Sequence, residues 1–110
     1  MSISWSDFEK VDIRTGTIIE VHDFPKARKP AYQVHIDFGE LGIKKSSAQI
    51  TDLYSKEDLL GMQIVAVVNF PPKQIANFMS ECLVLGAVTE KGEVSLLNTK
   101  HQVENGLRIS

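Results

Sequence analysis

The 110-residue chain has little cysteine, no long apolar run and none of the short motifs that mark common enzyme chemistry. Cys82 is the only cysteine, so no internal disulfide forms and nothing marks an oxidising compartment; the cytoplasm is the default expectation. No apolar stretch approaches the ~18 residues that cross a bilayer. The opening MSISWSDFEK lacks the basic flank and apolar core of a signal peptide. Membrane insertion and leader-directed export are therefore not expected. The patterns GxGxxG, GxxxxGK[ST] and GxSxG are missing, which removes the usual footholds for nucleotide hydrolysis and acyl transfer. His22, His35 and His101 show no metal-ligand spacing along the chain, so neither a metal nor a cofactor is expected.

Repeats and low-complexity tracts are absent too, and 43% of the residues are hydrophobic. That suffices for one folded domain, residues 1–110, without metal or disulfide staples. A net charge of −2 argues against a polyanion binder held by overall positive charge. The charge is nevertheless uneven. Residues 24–49 and 69–81 carry the cations Lys26, Arg28, Lys29, Lys44, Lys45 and Lys73 against Asp37, Glu40 and Glu81. This split marks a candidate face for an anionic ligand, although chance clustering of solvated lysines produces the same pattern.

Ser4 with Asp7, or Ser6 with Glu9, caps a short N-terminal helical turn. From Val11 to Val21, Val11, Ile13, Thr15, Thr17, Ile19 and Val21 alternate with Asp12, Arg14, Gly16, Ile18, Glu20 and His22, the pattern of a half-buried strand. Gly16 inside it suggests a bulge or tight bend. DFPKARKPA reads as a loop, and Tyr32 to Phe38 is a clear second strand with Gln33, His35 and Asp37 on its polar face. Ile43 to Ile50 reads as a third strand, and Ser55 with Asp58 caps a short helix that stops at Gly61. MQIVAVVNF, ended by Pro71 and Pro72, reads as a buried fourth strand. PPKQIANFMS is expected to be a long connection, ECLVLGAV a fifth strand, and TEKGE a turn into VSLLN.

Five strands with a helix between the third and fourth match an all-β, five-stranded oligonucleotide-binding (OB) barrel, with an N-terminal helical turn and a C-terminal strand extension. An SH3-like barrel or a split sandwich shares this strand count. In the OB arrangement, ligands lie on the strand 2 and 3 face between the first loop and the loop joining strands 4 and 5. The two cation-rich windows fall in those places.

A catalytic Cys82 needs an exposed thiolate beside a base, whereas ECLVLGAV reads as a strand that buries a small hydrophobe. Ser46 and Ser47 lack a local base and read as hydrogen-bonding surface. His35 either stacks on a base or is solvated. No catalytic residue is assigned.

The segments DIRTGTIIEV, FPKAR, SSAQI and VVNFPPKQIANFMSECLVL resemble the tRNA-binding domain family, and their order and spacing resemble its CsaA branch over about residues 7–110. Three places depart from the family pattern: Phe24 stands for its usual histidine, Arg28, Lys29 and Pro30 displace the lysine common after the following alanine, and Cys82 stands for the glycine after Ser-Glu. The resemblance implies a homodimer of OB-folds that binds tRNA and has a chaperone role toward unfolded or precursor polypeptides in protein export. It places ligand contacts at Lys26, Arg28, Lys44, Ser46, Ser47, Asn69, Met79, Ser80 and Glu81.

Lys45 and Lys73 join these positions as phosphate-facing cations. Phe78 and Met79 offer adaptable apolar contact to a polypeptide, or else pack under their loop. Glu81 would repel a phosphate, so it either holds its loop in place or accepts from a base edge or a peptide amide. Residues 1–10 and 89–110 lie outside the five strands and carry Trp5, Phe8, Leu96, Leu97, Leu107 and Ile109. A twofold partner covers such groups economically, and folding back over the chain's own barrel is the alternative. A dedicated structured-RNA binder without a chaperone role is the second functional expectation.

Overall fold

Two reciprocal caps start the two helices. In the computed structural model, which describes residues 1–110, the Asp7 N–H donates to Ser4 Oγ at 3.1 Å and the Ser4 N–H donates to the Asp7 carboxylate at 3.0 Å, opening α1 (Trp5–Glu9). Ser55 and Asp58 repeat the device at α2 (Lys56–Leu59). The hydrogen bond from the Ser55 backbone holds the Asp58 carboxyl below its ordinary range. Ser6 does not cap; its hydroxyl lies 2.9 Å from that of Ser4.

The strands are β1 (Ile13–Asp23), β2 (Tyr32–Asp37), β3 (Ile43–Ala48), β4 (Gln63–Val67), β5 (Lys73–Ile75), β6 (Phe78–Ser80), β7 (Leu83–Val84), β8 (Gly86–Val88) and β9 (Val94–Leu96). The main sheet runs β3-β2-β1-β4-β7 with every pair antiparallel. Long β1 serves both sides: Ile13–Thr17 pairs with β4, and Thr17–Asp23 pairs with β2. The outer edge of β3 meets residues 80–82, where the Glu81 N–H donates to the Lys45 carbonyl at 2.8 Å and the Lys45 N–H donates to Glu81 Oε1 at 3.0 Å. The sheet thus becomes a nearly closed five-stranded barrel, the expected OB architecture.

Gly16 and the bulge expected beside it turn out to be separate devices. A Cβ on Gly16 would lie 2.6 Å from Ile36 Cγ2 and 2.7 Å from the Phe38 ring, so glycine lets β1 curl tightly over the core. The bulge lies further on, between Ile18 and Glu20. It changes the phase of the strand: Ile18 points into the core, Ile19 is exposed, and Val21 packs inward again. Simple alternation from Val11 to Val21 therefore fails in the middle of the strand.

Ile18, Val34, Ile36, Phe38, Leu59 and Ile64 are fully buried in one cluster with Cys82. Each such side chain contributes about 1.5–3 kcal/mol of burial. Thr15 is buried as well, and residues 104–107 satisfy it. Its hydroxyl donates to the Glu104 carbonyl at 2.8 Å and accepts from the Leu107 N–H at 2.9 Å. Its own N–H donates to the Leu107 carbonyl at 3.0 Å, and its carbonyl accepts from the Gly106 N–H at 2.7 Å. The C-terminal segment is in this way docked along the first half of β1.

Two connections differ from expectation. PPKQIANFMS is not an irregular link: β5 and β6 pair as a hairpin, turning at Ala76 with φ of 52°. The expected fifth strand is divided, with Leu83–Val84 on β4 and Gly86–Val88 forming a separate hairpin with β9. No helix is long and apolar enough to cross a membrane.

Candidate nucleic-acid and polypeptide interface

Residues paired across a β-ladder share a face. Gln33 pairs with Ser47, His35 with Lys45 and Asp37 with Ile43, which sets Lys45 and Ser47 on the outer face of β2 and β3. Lys44 pairs with Ile36 and Ser46 with Val34, on the core-facing side. Ser46 is only 1% exposed and its hydroxyl donates to the Ser47 carbonyl, so the expected surface contact at Ser46 is corrected: strand parity turns it inward. Lys44 is half-buried on that same core-facing parity, opposite in sense to Lys45.

The first loop and the β5–β6 hairpin are joined by a small apolar lock of Phe24, Ala31 and Phe78, with Ala27 and Ile75 packed against it. The Phe24 and Phe78 rings are 5.5 Å apart, and the Lys45 ammonium sits 5.1 Å above the Phe78 ring. Phe78 is thus packed beneath its loop while Met79 is exposed. The sequence contained a signal for this lock, Phe24 in the first ligand loop and Phe78 in the second, but their meeting depends on tertiary structure.

Two clefts open beside the lock. A groove of about 660 Å³ is lined by Lys26, Arg28, Lys29 and Lys73 together with Ser47 and Gln74, and no carboxylate lines it. A smaller cleft of about 340 Å³ is lined by Phe70, Pro71, Ile75 and Leu83 with Ser80 and Glu81 at its polar side. Ser47, Lys73 and Ile75 line both, so the clefts are adjoining parts of one surface. The fold gathers Lys26, Arg28, Lys73, Ser47, Ser80 and Glu81 around this surface, with Lys45 beside it over the lock.

Several of the polar groups are already engaged. Ser80 Oγ accepts from the Ser47 N–H at 3.2 Å, and Glu81 closes the barrel against Lys45. The Asn69 amide accepts from the Asp12 N–H at 3.0 Å and donates to the Lys10 carbonyl at 2.7 Å, tying the approach to β1 to the end of β4. Cys82 has its thiol pushed up to about 12, first by burial and then by the charge of Glu81. A group that remains a thiol near neutrality is no nucleophile.

At the termini, Trp5 is 86% and Ile3 71% exposed, and with Phe8 they line a shallow cleft that reaches Ser110. Leu97 and Leu107 are exposed, and Ile109 is partly so. Leu96 packs against the chain's own core.

Residues 13–108 match the family described as "Putative tRNA binding domain". The structure is similar to that of the chaperone CsaA from Bacillus anthracis, with TM-score 0.96 and 54% identity, covering 100% of both chains. It is also similar to the CsaA chaperone protein of Picrophilus torridus, with TM-score 0.93 and 55% identity, covering 99% of this chain and 100% of that one. Methionine–tRNA ligase of Methanocaldococcus jannaschii is 30% identical over 107 residues, which span 97% of this chain but 16% of the ligase. From its ladder order, its loop placement and these similarities together, the chain belongs to the tRNA-binding domain family, in its CsaA branch.

Proposed function

We propose that the chain is a noncatalytic cytoplasmic homodimer that binds tRNA and holds unfolded or precursor polypeptides during protein export. The observation that carries the RNA half is the groove with four cations and no carboxylate in a chain of net charge −2. Its ammonium and guanidinium groups contact phosphates and release bound counterions, and the neighbouring Ser47 offers a hydroxyl to the sugar–phosphate backbone. The adjoining apolar cleft supports the polypeptide half. Phe70, Ile75 and Leu83 accept apolar side chains there, and exposed Met79 adapts to varied partners. Similarity to proteins named chaperones supports the same reading. The exposed Trp5 and Ile3, with half-buried Phe8 beside them, support a twofold partner.

The test is a competition titration of tRNA against a precursor peptide, with Lys26→Ala and Leu83→Ser as variants and sedimentation velocity on each protein. Competition is expected, with Lys26→Ala weakening tRNA more than peptide and Leu83→Ser the reverse, all on a dimer. Peptide binding that persists at saturating tRNA would separate the two sites. A monomer at micromolar concentration would sink the homodimer.

A further inference from the structure

His22 and His35 are separated along the chain, but the β1–β2 ladder and its bulge bring them together around Glu20. Without the bulge, Ile19 would follow the Ile18–Ile36 pair and stand opposite His35. The extra residue instead sets Glu20 opposite His35 and turns Glu20 and His22 to the outer face. His22 Nε2 lies 2.8 Å and His35 Nε2 3.4 Å from the same oxygen, Glu20 Oε2, and the two rings meet edge to face with centroids 5.9 Å apart. All three candidate ligand atoms lie within 4.8 Å of one another.

We propose that Glu20, His22 and His35 form a site for a divalent late transition-metal ion, zinc being the representative case. Two imidazoles and one carboxylate are a recognised donor set for such ions, and zinc takes these ligands at about 2.0–2.2 Å. Ligands of a tetrahedral ion at that distance stand about 3.3–3.5 Å apart. The His35–Glu20 spacing already has this value, and the His22–Glu20 spacing needs to open by about half an ångström, which side chains about half exposed accommodate by rotation. Glu20 supplies the one anionic donor of the set, and the two imidazoles supply the neutral ones. Lys45, opposite His35 on this face, is drawn toward the Phe78 ring. Three protein ligands leave a coordination position for water or for an oxygen atom of a bound molecule.

The deciding experiment titrates the tag-free full chain near neutral pH with Zn²⁺ by calorimetry and with Co²⁺ by visible absorption. One ion per chain is expected, with the absorption bands of Co²⁺ held by nitrogen and oxygen. Glu20→Ala and His35→Ala are each expected to weaken binding more than about tenfold with an unchanged circular dichroism spectrum. His101→Ala, remote in sequence from the cluster, is expected to leave binding unchanged. If His35→Ala disturbs the sheet, the more exposed His22→Ala makes the same measurement. Absence of saturable binding by the native chain, or binding that survives both His22→Ala and His35→Ala, overturns the site.

Discussion

Glu81 holds Lys45 by both of that residue's backbone groups, donating its own N–H to the carbonyl at 2.8 Å and accepting the Lys45 N–H on Oε1 at 3.0 Å. One residue thereby replaces the missing stretch of ladder at the barrel seam and sets Lys45 on its outer face. Glu81→Ala removes a charged acceptor from a half-buried N–H, and a loss of about 1.5–3 kcal/mol is expected in urea unfolding. Glu81→Gln keeps an oxygen in place and is expected to lose less than half as much. Equal stability of native and alanine forms would refute the clamp.

Gly16→Ala places a methyl group 2.6 Å from Ile36 Cγ2, inside the packed core. Overpacking of this kind costs about 1–3 kcal/mol. Equilibrium unfolding measures it, and the midpoint is expected to fall without a change in slope.

Cys82 gives a pH signature. Burial raises its thiol from an ordinary value of 9.0 to about 12, so the folded chain retains the proton more firmly than the unfolded one. The resulting stabilisation is complete below pH 9 and is lost as pH rises toward 12. Native protein is expected to resist alkylation at pH 8, with labelling only after denaturation. Replacement by alanine is expected to flatten this alkaline limb relative to the native chain.

Salt dependence reads the groove directly. With four phosphate contacts from Lys26, Arg28, Lys29 and Lys73, log K for tRNA plotted against log salt is expected to slope at about −3 to −4. Lys73→Ala is expected to reduce the magnitude of that slope by about 1. A flat line would exclude phosphate contact as the source of affinity.

Local rules made much of this architecture legible. The Tyr32–Phe38 alternation, the Ser–Asp caps and Pro71–Pro72 beyond β4 each act over a few residues, and each appears where expected. The bulge at Ile19 was hidden because an extra residue has no composition of its own; only its pairing partner reveals it. The Glu81 clamp joins residues 36 apart, and the Phe24–Phe78 lock joins two loops, so neither has a periodicity to read. Ser46 was misplaced for a simpler reason: a pair of adjacent serines on one strand sends only one hydroxyl to each face, and the ladder register decides which.

Thr15 also joins parts of the chain that leave the ribosome far apart in time. Its hydroxyl partner at Leu107 lies 92 residues downstream, while its strand neighbour Val65 arrives midway. Such distant closure costs chain entropy before its contacts repay it. Until that segment docks, the Ile13–Thr17 half of β1 presents an open edge to any extended chain nearby. A chain without that segment docked would expose the kind of unpaired strand edge that a polypeptide-holding partner shields.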